Sequence, residues 1–195
     1  MKKRIIVLAS GNGSNFEAIV KKLRNKYKIK LISENKNAYV LQRAIKLDID
    51  YDLINYKLYK SREEYNQKLF EYLKREEPDL IVLAGYMKIL PEYIVEHFEN
   101  QIINIHPSLL PAFKGLNAIK QAFEYGVKYT GITIHYVNNE LDGGKIITQE
   151  VVKIEREDTL ETLEEKIHKL EHKLYPKVID KILRLQEVAY EKSLN

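Results

Sequence analysis

A chain of 195 residues, 45% hydrophobic and 31% charged, has the composition of a folded domain with a buried core and not that of a disordered segment. Its net charge of +4 suits an anionic small-molecule ligand, and with the lysines spread over helix faces and no basic block it argues against nucleic-acid binding. The lack of cysteine excludes a disulfide framework, thiolate chemistry and a zinc ribbon, and no apolar run nears the roughly 20 residues of a membrane span, so no metal, no membrane and a cytoplasmic location are expected.

The first element is a buried strand, Ile5-Ile6-Val7-Leu8-Ala9, rich in β-branched residues. Met1-Lys2-Lys3-Arg4 before it resembles the charged start of a signal peptide, but the apolar run is too short and passes straight into glycine. Ser10-Gly11-Asn12-Gly13-Ser14-Asn15 follows, then an amphipathic helix from about Phe16 to Lys26. Such a turn gathers backbone N–H groups at the positive end of a helix, an anion site suited to phosphate. It lacks the Gly-Lys-Ser/Thr ending of a Walker loop and the full dinucleotide fingerprint, and a tight turn needing positive φ would read the same way.

A strand near Ile29 to Ser33, a helix from about Ala38 to Lys46 and a short strand near Tyr51 to Ile54 come next. Ser61 and Glu64 make a capping box for a helix that runs to about Glu76 and is broken by Pro78. Leu80 to Ala84 is a second strongly buried strand, Gly85 to Leu90 a loop, and Pro91 the expected first position of a helix to Phe98. This βαβα alternation predicts an α/β fold with a doubly wound, mostly parallel sheet.

The central strand, Ile102 to His106, carries Asn104 and His106 two residues apart, hence on one face, before Pro107 ends the pairing. Polar side chains there need partners, and ligands bind beyond the carboxyl ends of parallel strands. A helix over Asn117 to Tyr125 follows. Gly131 to Val137 and Lys145 to Ile154 are then expected to pair antiparallel around Asn138 to Gly144. A long C-terminal helix starts at Asp158, with a kink expected at Pro176. The absence of repeats and linkers predicts a single domain over residues 1–195.

Three groups combine chemically: Asn104, His106 and Asp142, the last in Leu141-Asp142-Gly143-Gly144, where the glycines would let the backbone approach a ligand. A carboxylate beside an imidazole stabilises its charged form and makes a proton-transfer pair. The asparagine amide adds a donor for a developing oxyanion. This set suits acyl transfer without a covalent enzyme intermediate. Ser108 lacks the flanking glycines of a nucleophile elbow.

Asn104-Ile105-His106-Pro107-Ser108-Leu109-Leu110-Pro111 with Glu140-Leu141-Asp142-Gly143-Gly144 resembles the signature of the folate-dependent formyltransferases. The glycine loop is similar to that of the branch acting on glycinamide ribonucleotide. The likeness extends over Ser61-Arg62-Glu63, Leu83 to Met87 and Glu171-His172. The resemblance implies an enzyme with a Rossmann-like fold that moves a formyl group from 10-formyltetrahydrofolate, as cosubstrate, to the amine of glycinamide ribonucleotide, as a monomer or homodimer. By matching position it implies that Gly13, Ser14 and Asn15 hold the substrate phosphate and Glu171 its ribose. Arg62, Met87, Lys88, Ile89, Leu90 and Asn104 would border the folate, with Asn104, His106 and Asp142 catalytic.

Three positions depart from the pattern: Lys88 stands for an arginine, Glu34 looks inserted between Ser33 and Asn35, and His168 replaces an amide or lysine. A formyltetrahydrofolate hydrolase would share the central residues. It is expected to carry an N-terminal regulatory domain, for which Met1 at the first strand leaves no place. A methionyl-tRNA formyltransferase would need a C-terminal domain for which 195 residues leave no room. A non-enzymatic nucleotide-binding module would need the phosphate loop but not Asn104, His106 and Asp142 together.

Overall fold

The computed structural model describes residues 2–193, so the expectation resting on Met1 lies outside it. The fold is of the α/β class read from the sequence, doubly wound and mostly parallel, with an antiparallel strand pair and a long C-terminal helix. The chain divides into two compact units, residues 1–86 with 172–195, and residues 87–171.

In the first unit the parallel strands are β1 (Arg4–Leu8), β2 (Lys28–Ser33), β3 (Tyr51–Leu53) and β4 (Leu80–Leu83). β1 lies between β2 and β4, Val7 opposite both Leu31 and Val82, which is why its apolar run is buried from Ile5 onward. β3 flanks β2 and keeps Tyr51 and Leu53 exposed. The helices are α1 (Ser14–Leu23), α2 (Tyr39–Lys46) and α3 (Arg62–Glu76). α1 buries Phe16, Ile19, Val20 and Leu23, the face read from their spacing. Ser61 caps α3 by accepting the Glu64 N–H at 3.1 Å, while the Glu64 carboxylate reaches back to the N–H of Lys60 rather than that of Ser61.

In the second unit β5 (Ile102–His106), β6 (Tyr129–Tyr136) and β7 (Ile146–Lys153) are antiparallel neighbours, with Asn104 opposite His135 and His106 opposite Thr133. α4 (Glu92–His97) and α5 (Ala118–Tyr125) complete it. Pro91 is the N-cap of α4 and not its first helical residue: its ψ of 156° is still extended. α6 (Leu160–Ser193) runs through Pro176 as one element. Among the described residues no helix is long and apolar enough to cross a membrane.

Candidate active site

β5 delivers Asn104 and His106 to one face, as alternation requires, and β6 adds Thr133 and His135 to that face because directly paired residues share it. Asp142 approaches from the β6–β7 connection. Its Oδ2 lies 3.4 Å from His106 Nδ1, and both side chains are almost wholly buried. The same Oδ2 accepts the Gly115 N–H at 2.8 Å. His106 Nε2 lies 2.8 Å from the carbonyl oxygen of Phe113. Both ring nitrogens therefore face oxygen atoms, Nε2 at hydrogen-bond distance from the Phe113 carbonyl and Nδ1 within ion-pair reach of the Asp142 carboxylate. Asn104 Nδ2 is 3.3 Å from His135 Nε2, which is 3.8 Å from Asp142 Oδ1. Asn104, His106 and Asp142 are thus brought together, and His135 joins them.

The strap after Pro107 is held by side-chain hydrogen bonds from Ser108, Thr133 and Gln149. Ser108 is fully buried and donates its hydroxyl to the Ala112 carbonyl at 2.5 Å. Thr133 donates to the Ser108 carbonyl at 2.7 Å and accepts the Leu110 N–H at 3.0 Å. Gln149 Nε2 donates to Thr133 Oγ1 at 2.9 Å and to the Leu110 carbonyl at 3.0 Å. These bonds fix the path that carries the Phe113 carbonyl and the Gly115 N–H to the His106–Asp142 pair.

The glycines of the Leu-Asp-Gly-Gly motif also have a physical reason within the protein itself. A Cβ on Gly144 would lie 1.8 Å from the Tyr136 carbonyl oxygen, and one on Gly143 would meet the Glu140 side chain at 2.4 Å. What approaches closely here is the protein's own chain. Asp142 itself holds a left-handed φ of 48°.

In the first unit, Gly13 caps α1 with φ 78°, and the helix begins two residues earlier than periodicity suggests, at Ser14. Ser14 and Asn15 are its first two residues, half-buried. Arg43 of α2 donates Nε to the Asn12 carbonyl and Nη2 to Asn12 Oδ1, each at 2.8 Å, and pairs with Glu17. A trans peptide sends its N–H opposite to its C=O, so Arg43 turns the Gly13 N–H the other way. A Cβ on Gly13 would lie 2.3 Å from Val40 Cγ2. Gly13→Ala is therefore expected to lower stability by about 2 kcal/mol or more, from the left-handed backbone and overpacking together. Gly11→Ala, which meets nothing within 4 Å, should stay close to wild type in the same urea unfolding measurement.

Arg62 opens α3 as an exposed residue. The Glu34 carbonyl accepts the Tyr56 N–H at 3.0 Å, and Asn35 Nδ2 donates to the Ser10 carbonyl at 3.1 Å, so this segment is tied to the glycine loop. The Glu34 side chain is buried near Tyr65 and Tyr86, whose hydroxyls lie 2.6 Å apart. Burial pushes both tyrosine pKa values up, Glu34 adding to the effect. In the second unit, Met87 and Ile89 are exposed, Lys88 half-buried and Leu90 buried. Glu171 is buried and its Oε2 lies 3.0 Å from His168 Nδ1, a hydrogen bond that raises the His168 pKa.

Two contributors went unread in the sequence. His135 had a signal, since Thr133 and His135 alternate with Ile132 and Ile134 and so share one strand face. Arg43 had none beyond its place in a helix, because its partners lie 26 to 31 residues away.

A family model described as formyl transferase matches residues 3–179. The chain is 46% identical over 187 residues to the phosphoribosylglycinamide formyltransferase of Bacillus subtilis (strain 168), covering 94% of this chain and 96% of that one. It is 42% identical over 179 residues to the trifunctional purine biosynthetic protein adenosine-3 of Homo sapiens, covering 90% of this chain but 18% of the longer protein. The crystal structure of phosphoribosylglycinamide formyltransferase from Bacillus halodurans matches with a TM-score of 0.88 at 44% identity, over 93% of this chain and 95% of that one.

Proposed function

The chain belongs to the formyl transferase family, and from that premise we propose that it transfers the formyl group of 10-formyltetrahydrofolate to the amine of glycinamide ribonucleotide, a step of purine biosynthesis. The observation that carries this reading is the grouping of Asn104, His106 and Asp142, with a carboxylate oxygen 3.4 Å from the imidazole. The family match runs over residues 3–179, which supports reading the chain as one functional domain.

In this reading the amine lone pair attacks the formyl carbon and the carbonyl electrons move to oxygen. Asn104 donates to that oxygen through Nδ2. The doubly protonated His106 exchanges its Phe113 partner for it, since an oxyanion accepts more strongly than a carbonyl. Asp142 balances the imidazolium and relays the proton that the attacking nitrogen loses to N10 of the folate. The bond from carbon to N10 then breaks, giving the formylated amide and tetrahydrofolate. Gly13, Ser14 and Asn15 take the substrate phosphate through backbone N–H groups at the start of α1, and Glu171 takes the ribose. Arg62, the Met87 to Leu90 segment and Asn104 border the folate.

The test is to incubate the purified protein with both substrates and follow formylated product by mass spectrometry. Product formed in step with tetrahydrofolate is expected. Formate released at the same rate without the ribonucleotide would instead identify a hydrolase.

A further inference from the structure

Asn104 and His135 are direct partners on antiparallel strands, so their side chains leave the same face. The β6–β7 pairing shifts register here, Ile134 facing Thr148 and His135 facing Ile146, so that Ile147 of β7 is the extra residue opposite this point. His135 is 2% exposed, and its Nδ1 lies 2.8 Å from the Tyr136 carbonyl oxygen. A carbonyl only accepts, so Nδ1 carries the proton and Nε2 of the neutral ring is a lone pair. That lone pair lies 3.3 Å from Asn104 Nδ2 and accepts one of its two N–H groups. The Tyr136 carbonyl thus sets the tautomer, and the tautomer sets which end of the Asn104 amide faces β6.

We propose that His135 is a positioning residue for formyl transfer, holding the Asn104 amide so that its second N–H, and not its carbonyl oxygen, is presented to the formyl oxygen. The inference rests on Asn104 acting as that donor. An amide free to turn over would present Oδ1 in part of the population, and an oxygen facing a developing oxyanion repels it. The groups around His135 favour the neutral ring the device needs. Burial lowers its pKa, opposed by the Tyr136 hydrogen bond and by Asp142, whose Oδ1 is 3.8 Å from Nε2, while His106 and Lys114 add to the lowering. A protonated ring would lose its acceptor and turn a donor toward Asp142, drawing the carboxylate from His106.

The test compares His135→Gln with His135→Met, side chains of similar size of which only the first carries a strong acceptor. His135→Met is expected to lower kcat about tenfold with both KM values nearly unchanged, and His135→Gln to recover most of the loss. In an Asn104→Ala background, His135→Met should cost nothing further. Equal losses in both backgrounds, or no advantage of Gln over Met, would overturn the proposal. An Asn104→Ala enzyme with wild-type kcat would instead overturn the reading of Asn104 on which it rests. Imidazole nitrogen NMR of the unaltered protein needs no variant to fold: Nδ1 protonated and Nε2 bare is expected, and the opposite tautomer would refute the assignment.

Discussion

Asp142→Asn is expected to lower kcat by about 10² or more while leaving both KM values close to wild type. The substitution isolates charge from shape. Asp142 sits at φ 48°, a conformation asparagine adopts readily, and an amide oxygen can still accept the Gly115 N–H as Oδ2 does at 2.8 Å. What disappears is a negative charge 3.4 Å from His106 Nδ1. If that charge balances an imidazolium as the oxyanion forms, its contribution appears in the transition state and not in substrate binding. His106→Ala should cost a similar factor, and the double variant little more than either alone, because groups that act as one unit are not additive. Steady-state kinetics on the three variants with both substrates decides it. Full additivity would show two residues working separately and would sink the proposed relay.

The parts of this fold that were legible share one property: their signal is local. β1 and β4 are continuous apolar runs because each is buried throughout, and the Ser61 cap is written in four consecutive residues. The 3-10 turn at Tyr56–Leu58 was legible and went unread, since its start is an Asn55 side chain accepting the Lys57 N–H at 3.1 Å. What could not be read depends on register between distant segments. Asn104 meets His135 only because β5 and β6 pair as they do, and nothing near either residue announces the other. His106 faces the Phe113 carbonyl through a strap pinned by Thr133 and Gln149, which a sequence presents as ordinary strand residues. Asn104, His106 and Asp142 group by their chemistry, and the resemblance points to the same three residues. It does not supply the reason for Gly143 and Gly144, which the Glu140 side chain gives for the first and the hairpin's own backbone for the second.

Gly144→Ala is accordingly expected to damage catalysis as severely as removing the Asp142 charge, although glycine 144 carries no reactive group. A Cβ 1.8 Å from the Tyr136 carbonyl oxygen and 3.3 Å from the Asn138 nitrogen meets backbone on both sides, and backbone cannot turn aside as a side chain can. The Tyr136 N–H donates to the Lys145 carbonyl at 2.9 Å, so the clash falls where the hairpin closes. Opening it moves Asp142, two residues away, relative to His106. It also pushes on the carbonyl that fixes the His135 tautomer at 2.8 Å, so both supports of the site are disturbed together. A shift of about 1 Å at reacting groups costs on the order of 10² in rate, and the overpacking itself about 1–3 kcal/mol of stability. Gly143→Ala is the milder comparison, since its Cβ meets the exposed side chain of Glu140. The measurement is kcat and urea stability for both variants, with Asp142→Asn added to Gly144→Ala. Little further loss is expected from that addition, because the displaced carboxylate has already ceased to serve His106. A Gly144→Ala enzyme that folds with wild-type kcat would show that catalysis tolerates a misplaced Asp142 and would remove the loop from the mechanism.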